Sequence, residues 1–111
     1  LNIGYKIDHR NLIVKLHGEL DHHIAEDVRE EIDIAIEQNS IKNVIFDFKD
    51  INFMDSSGVG VVIGRYRKVS KTGGKVVAIN LNKHVKRIFD LSGMNKIIGV
   101  YNNYEEAKAS L

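Results

Sequence analysis

The run from Asn43 to Lys71, NVIFDFKDINFMDSSGVGVVIGRYRKVSK, decides the fold. Its opening, Asn43 to Phe48, is dense in apolar residues and reads as a central strand. Lys49 to Asp55 is polar enough to predict a loop. A helix is then predicted over about Ser57 to Lys71, with Val59, Val62, Ile63, Tyr66 and Val69 as its buried side. Gly60 and Gly64 lie four apart, which predicts a close approach of that helix to a sheet. Thr72-Gly73-Gly74 supplies the glycine stop. Lys75 to Ile79 is a second apolar strand. Strand, helix, strand within this span implies a parallel pairing.

The same reading extends outward in both directions. Towards the start, Ile3, Tyr5 and Ile7 alternate with other residues, and Leu12 to Leu16 is a second strand. Asp8-His9-Arg10-Asn11 turns between them, which predicts a β-hairpin. Gly18-Glu19-Leu20-Asp21 is expected as a loop. A helix follows from about His22 to Gln38, with Ile24, Val28, Ile32 and Ile36 spaced every four residues and Asp21 at the N-cap position. Asn39-Ser40 ends it. Beyond Ile79, Asn82 caps a helix to about Leu91, with Val85, Ile88 and Phe89 turned inward and Ser92-Gly93 as its stop. Ile97 to Tyr101 is the last strand, and Asn103 caps a short helix over Tyr104 to Ser110. The predicted fold class is α/β in the order ββαβαβαβα. It has a mostly parallel sheet in sequential strand order, an antiparallel edge strand, and helices mainly on one face.

Composition narrows the function classes. The 111 residues suffice for one domain, residues 1–111, with a core of its own. There is no Cys, so disulfides, thiolate catalysis and Cys-ligated zinc are excluded. The lack of Cys fits a reducing cytoplasm. A formal net charge of +1 argues against a nucleic-acid coat or a polybasic membrane binder. The apolar run Val59 to Gly64 is far short of the roughly 20 residues that span a bilayer. Leu1-Asn2-Ile3-Gly4 lacks the basic start and apolar block of a signal peptide, and the expectation is a chain that begins just after its natural start.

The small net charge hides an asymmetry. Glu19 to Glu37 holds eight acids and one base, Arg29; Arg65 to Arg87 holds eight bases and no acid. Two readings stand: solvated charged faces, or a surface read by a partner of opposite charge.

Several motifs fail on inspection. Gly58-Val59-Gly60 lacks the third glycine of a dinucleotide fingerprint, because Ile63 stands there. Gly73-Gly74-Lys75 closes a helix and opens a strand, the reverse of a phosphate cradle, and Val76 replaces Ser or Thr. His17, His22 and His23 surround Asp21, but adjacent residues at a helix start diverge by about 100°, which favours positioning roles over a metal site. Asp47, Asp50 and Asp55 invite comparison with a phosphoaspartate receiver, yet Asp8-His9 is a weak match for the acidic pair that would hold magnesium. No Gly-x-Ser-x-Gly elbow surrounds Ser56 or Ser57.

What remains is Phe53-Met54-Asp55-Ser56-Ser57-Gly58. One reading is a helix cap, with Asp and Ser satisfying free backbone N–H groups. The other is a hydroxyl presented to a kinase after the C-terminal end of a strand, with Phe53 and Met54 as apolar handles beside it.

Gly18-Glu19-Leu20-Asp21, Asp55-Ser56-Ser57-Gly58-Val59-Gly60 and Arg65-Tyr66 resemble the STAS domain of anti-anti-sigma factors from spore-forming bacteria. His22-His23 and the run Val85 to Gly93 are most similar to the sporulation branch that antagonises an anti-sigma-F factor. The resemblance covers essentially the whole chain. It implies a partner switch rather than an enzyme. The unphosphorylated form binds an anti-sigma factor that is also a serine kinase, and the sigma factor is freed. Phosphorylation of the first Ser of the motif, Ser56, ends binding, and a PP2C-like metal-dependent serine phosphatase reverses it. Asp21, His22, Met54, Asp55, Ser57 and Gly58 are the implied partner-binding residues. The chain itself needs no cofactor; ATP and magnesium belong to the kinase. The free protein is expected as a cytoplasmic monomer with no direct contact to nucleic acid or membrane. The alternatives are a general stress-response or stressosome STAS protein and, in another class, a nucleotide-hydrolysing enzyme.

Overall fold

A computed structural model describes all residues, 1–111. Its elements are β1 (Asn2–Asp8), β2 (Asn11–Leu20), α1 (Ala25–Gln38), β3 (Asn43–Met54), α2 (Ser56–Ser70), β4 (Val76–Ile79), α3 (Lys83–Ser92), β5 (Gly99–Tyr101) and α4 (Tyr104–Ala109). A 3₁₀ turn, Met94–Lys96, separates α3 from β5. The order ββαβαβαβα stands as the local periodicities predict. The five strands lie in sequential order, β1 antiparallel to β2 and the rest parallel.

Alternation along the strands divides the core between two faces. Val44, Phe46 and Phe48 point to one side of β3, where they meet α1, α2 and α3 through Ile32, Val62 and Phe89. Ile45 points to the other side, where it joins Val77, Ile79 and Ala107 of α4. Three helices thus cover one face and the short α4 the other. Phe46 stacks on Phe48 at 5.8 Å, and Phe48 meets Phe89 edge-on at 5.7 Å, tying β3 to α3.

Two segments expected as loops are strand. β2 continues through Gly18-Glu19-Leu20, and β3 through Lys49 to Met54. The two extensions pair with each other, Gly18 with Ile51 and Leu20 with Met54, after register shifts beyond Lys15 and Gly18. These shifts break the alternation that a single window would detect, while Leu20, Ile51 and Met54 still reach the core. Helix α1 begins at Ala25, three residues later than expected. Asp21 instead organises the preceding turn: its carbonyl accepts from Ala25 N–H at 3.0 Å, and its carboxylate accepts from His23 N–H at 2.9 Å. Strand β5 starts at Gly99, because Met94–Lys96 takes up the chain before it.

The close approach of α2 is also elsewhere than expected. Gly60 and Gly64 face open space, whereas a Cβ on Gly58 would lie 2.3 Å from Met54 Cγ. Gly74 is fixed by sterics of the same kind, since its Cβ would fall 1.9 Å from the Lys42 carbonyl oxygen. On α2, Val61 and Arg65 are buried, while Val59, Ile63 and Tyr66 are only partly so. Arg65 therefore leaves the basic surface. It forms an ion pair with Asp33 of α1, Nε to Oδ1 at 2.9 Å, and donates to the Val61 carbonyl at 3.3 Å. The Nε–Oδ1 contact lacks hydrogen-bond alignment, so Coulomb attraction holds it. Burial lowers the Arg65 pKa, and the Asp33 charge opposes that shift.

Candidate functional site

The site forms where β2 and β3 both end. Asp55 is the N-cap of α2, and its Oδ1 accepts from Ser57 N–H at 2.8 Å. Its carbonyl accepts from Gly58 N–H at 3.0 Å. Its other carboxylate oxygen reaches the neighbouring connection and accepts from His22 N–H at 3.2 Å. Asp55 N–H in turn donates to the Leu20 carbonyl at 3.3 Å. One residue thus caps a helix and fastens it to the chain entering α1. Burial alone would raise the Asp55 pKa, but hydrogen bonds from Ser57, His22 and Gly58 hold it below the ordinary carboxylate value.

Ser56 is the first residue of α2 and is exposed. Its hydroxyl stands where the unpaired N–H groups of the first turn give a positive end. Asp21, His22 and His23 gather on the adjacent turn. His22 Nδ1 lies 3.7 Å from Asp55 Oδ2, and His23 Nδ1 lies 3.6 Å from Asp21 Oδ1. The two imidazoles are 4.0 Å apart, closer in space than their divergence along a helix would allow, because they sit in a turn. No three His, Asp or Glu side chains converge as metal ligands would. Asp47, Asp50 and Asp55 do not gather either: Asp47 accepts from Asn80, Asp50 pairs with Lys15, and Asp55 caps α2.

Beside Ser56 runs a groove of about 390 Å³, lined by Met54, Asp55, Val59, Ile88, Leu91 and Ser92 as well as Ser56 itself. Leu91 is 77% exposed and Phe53 is 43% exposed. Met54, in contrast, is 1% exposed, packed beneath Gly58 and Leu20. Of the two apolar handles expected beside the hydroxyl, Phe53 is offered to solvent; Met54 is a support, because the register shift after Ile51 turns it into the core. Gly58 is buried with it, while Ser57 is half-buried at the helix start.

Two residues of this site escaped sequence reasoning. His84 Nε2 accepts from Met54 N–H at 3.1 Å, and its ring stacks on Phe53 at 5.6 Å. No local pattern foretells a contact across thirty residues. Leu91 could have been found, since it falls outside the Val85, Ile88 and Phe89 stripe of α3.

The fold and the helix-mouth motif define a regulatory domain class, and the chain belongs to the STAS domain family, which matches residues 2–107. Among particular relatives, it is 38% identical to an anti-sigma F factor antagonist of Paenibacillus polymyxa, covering 100% of this chain and 97% of the other. It is 32% identical to an anti-sigma-B factor antagonist of Bacillus subtilis, over 90% of each chain. It also resembles the Bacillus anti-sigma factor antagonist SpoIIAA. The unphosphorylated form of that protein matches with a TM-score of 0.84 at 32% identity, covering 98% of this chain and 96% of that one. The phosphorylated form matches at 0.76 and 30% identity, covering 99% and 100%. No helix of this chain is long and apolar enough to cross a membrane.

Proposed function

We propose that this chain is an anti-sigma factor antagonist worked by phosphorylation of Ser56. The observation that carries the reading is an exposed hydroxyl on the first residue of α2, at the end of an apolar groove and next to a capping carboxylate. The unphosphorylated form docks an anti-sigma factor that is also a serine kinase, and the sigma factor is released. Asp21, His22, Asp55 and Ser57 frame the contact, with Met54 and Gly58 holding its floor. The kinase supplies ATP and magnesium, and a PP2C-like phosphatase removes the phosphate. Identity favours the sigma-F branch over the sigma-B branch, 38% against 32%. The free chain acts as a monomer in the cytoplasm.

The switch follows from electrostatics. Phosphorylation adds about −1.5 to −2 charge units at neutral pH. The positive end of α2 favours that charge, while ionised Asp55 opposes it. The two effects oppose each other within this chain, so the fold survives. Nothing offsets the charge in an interface shaped for a neutral hydroxyl. There a like-charge juxtaposition costs several kcal/mol, and about 1.4 kcal/mol is already tenfold in affinity.

Incubation with the anti-sigma kinase and Mg-ATP, followed by mass-spectrometric mapping, tests this. Phosphate on Ser56 and loss of complex on phosphorylation are expected. Phosphate on Ser57 alone, or a phosphoprotein that binds as tightly as the unmodified one, overturns it.

A further inference from the structure

We propose that His84 is a positioning residue for Ser56: with Asn82 it takes the place of a missing strand along the second half of β3 and fixes the peptide from which α2 starts. The proposal deepens the function proposed above and rests on it.

β3 is 12 residues long, but β4 accompanies it only from Val44 to Asp47. Opposite Asp47 stands Ile79, the last residue of β4, and the next residue, Asn80, turns the chain with a left-handed φ of 58°. From Phe48 to Met54 the β3 edge on that side has no strand beside it. The opposite edge stays paired with β2 as far as Met54, with Asn52 as an extra residue across from the step between Gly18 and Glu19. An open strand edge carries backbone groups that need partners.

Two of these groups are met by side chains at the start of α3. Asn82 Nδ2 donates to the Ile51 carbonyl at 2.6 Å, and His84 Nε2 accepts from Met54 N–H at 3.1 Å. A donor and an acceptor are what a neighbouring strand would offer. Both side chains are themselves fixed. Asn82 caps α3 by accepting from Val85 N–H at 2.9 Å, and the His84 ring stacks on Phe53.

The clasp closes directly before the phosphorylation site. Met54 N–H is drawn towards α3, and the next amide, Asp55 N–H, is drawn the other way to the Leu20 carbonyl of β2 at 3.3 Å. Asp55 then caps α2, and Ser56 is the first residue of that helix. The helix mouth therefore hangs between α3 and β2 by two successive peptides. Without the His84 acceptor, Met54 N–H loses its partner and the mouth is held from the β2 side. It then spends part of its time outside the geometry that a partner reads, and affinity falls with the competent fraction. The acceptor atom carries the effect: Gln at this position supplies a carbonyl oxygen, whereas Leu supplies bulk alone.

The test combines amide hydrogen exchange of the free, full-length chain with calorimetric binding to its purified anti-sigma factor in Mg-ADP, where no phosphoryl transfer occurs. His84→Leu is expected to speed exchange at Met54 and Asp55 at least tenfold and to weaken binding about tenfold. His84→Gln should stay within threefold of the parent in both. Ile36→Val, a mild core change in α1 away from the mouth, should leave binding within threefold and so separates positioning from general stability. If His84→Leu loses its far-UV circular dichroism, Phe53→Leu replaces it: the ring loses its stacking partner, and about threefold is expected in both readouts. Parental affinity in the variant used overturns the proposal, even where exchange quickens. An equal loss in His84→Gln also overturns it, since the acceptor would then not be what matters, and so does an equal loss in Ile36→Val. A parent chain that does not bind the anti-sigma factor at all refutes the function instead, while exchange at Met54 still reports whether the clasp exists.

Discussion

Replacing Gly58 by Ala pits two terms of known size against each other beneath the phosphorylation site. Ala is favoured over Gly in a helix by about 1 kcal/mol. Its methyl would stand 2.3 Å from Met54 Cγ, 2.9 Å from Met54 Sδ and 3.2 Å from Leu20 Cδ2. Comfortable carbon contacts are about 3.5–4.0 Å, so Met54 must move by more than an ångström inside a filled core. Overpacking of this kind costs about 1–3 kcal/mol. The net expectation for Gly58→Ala is a loss of about 0–2 kcal/mol in stability. Met54 also holds His84 through its N–H and precedes Asp55, so the displacement reaches the helix mouth and should weaken partner binding. The decisive comparison is a double-mutant cycle. Met54→Ala by itself costs about 2–5 kcal/mol through the cavity it leaves. In that background the two Met54 contacts are gone, Leu20 Cδ2 at 3.2 Å can give way into the space left, and Gly58→Ala should stabilise by up to about 1 kcal/mol. The two substitutions should therefore couple favourably by about 1–3 kcal/mol. Urea unfolding followed by far-UV circular dichroism gives all four stabilities; the chain has no Trp to report by fluorescence. Equal costs of Gly58→Ala in both backgrounds would refute the packing argument.

Other outcomes follow from the same geometry. Asp33→Ala strands the buried Arg65 guanidinium and should cost about 2 kcal/mol, discounted from the full buried-pair penalty because the Asp33 side chain is 27% exposed; Arg65→Met in that background should recover part of the loss. Chemical denaturation checks this, and no recovery would count against the ion pair. Asp8 accepts from the Tyr104 hydroxyl at 2.5 Å and pairs with Lys108 at 3.0 Å; these contacts and His9 hold its pKa well below the carboxylate range. Its folded pKa is depressed, so its contribution is present above the unfolded value of about 3.9 and fades as pH falls through the folded value. The melting-temperature gap between the parent and Asp8→Asn should therefore be open at pH 7 and narrow below about pH 4; a gap that widens in acid contradicts the assignment. Amide NMR spectra of the Ser56 and phospho-Ser56 forms should both remain dispersed, with shifts confined to the helix mouth and its groove; a general collapse of dispersion would replace an electrostatic switch by an unfolding one.

Much of this was legible from the chain alone, because the signals involved are local. The order of strands and helices follows from periods of two and of 3.6 residues. Asn82 and Asn103 could be read as caps because a cap acts within three residues, and both accept as expected, from Val85 and from Glu106. Ser56 was legible because it sits in a compact motif at a helix start. Contacts between distant segments were decided only when the chain closed. The extension of β2 and β3 depends on their mutual register, and local composition had marked both ends as loops. The register shift between β2 and β3 buried Met54, and the proximity of α1 drew Arg65 out of the basic surface. Gly58 rather than Gly60 or Gly64 marks the tight approach, because a glycine is needed only where another side chain already occupies the space. Backbone periodicity is a property of neighbours in sequence, whereas burial and pairing are properties of neighbours in space, and the helix mouth with its groove is made almost wholly of the second kind.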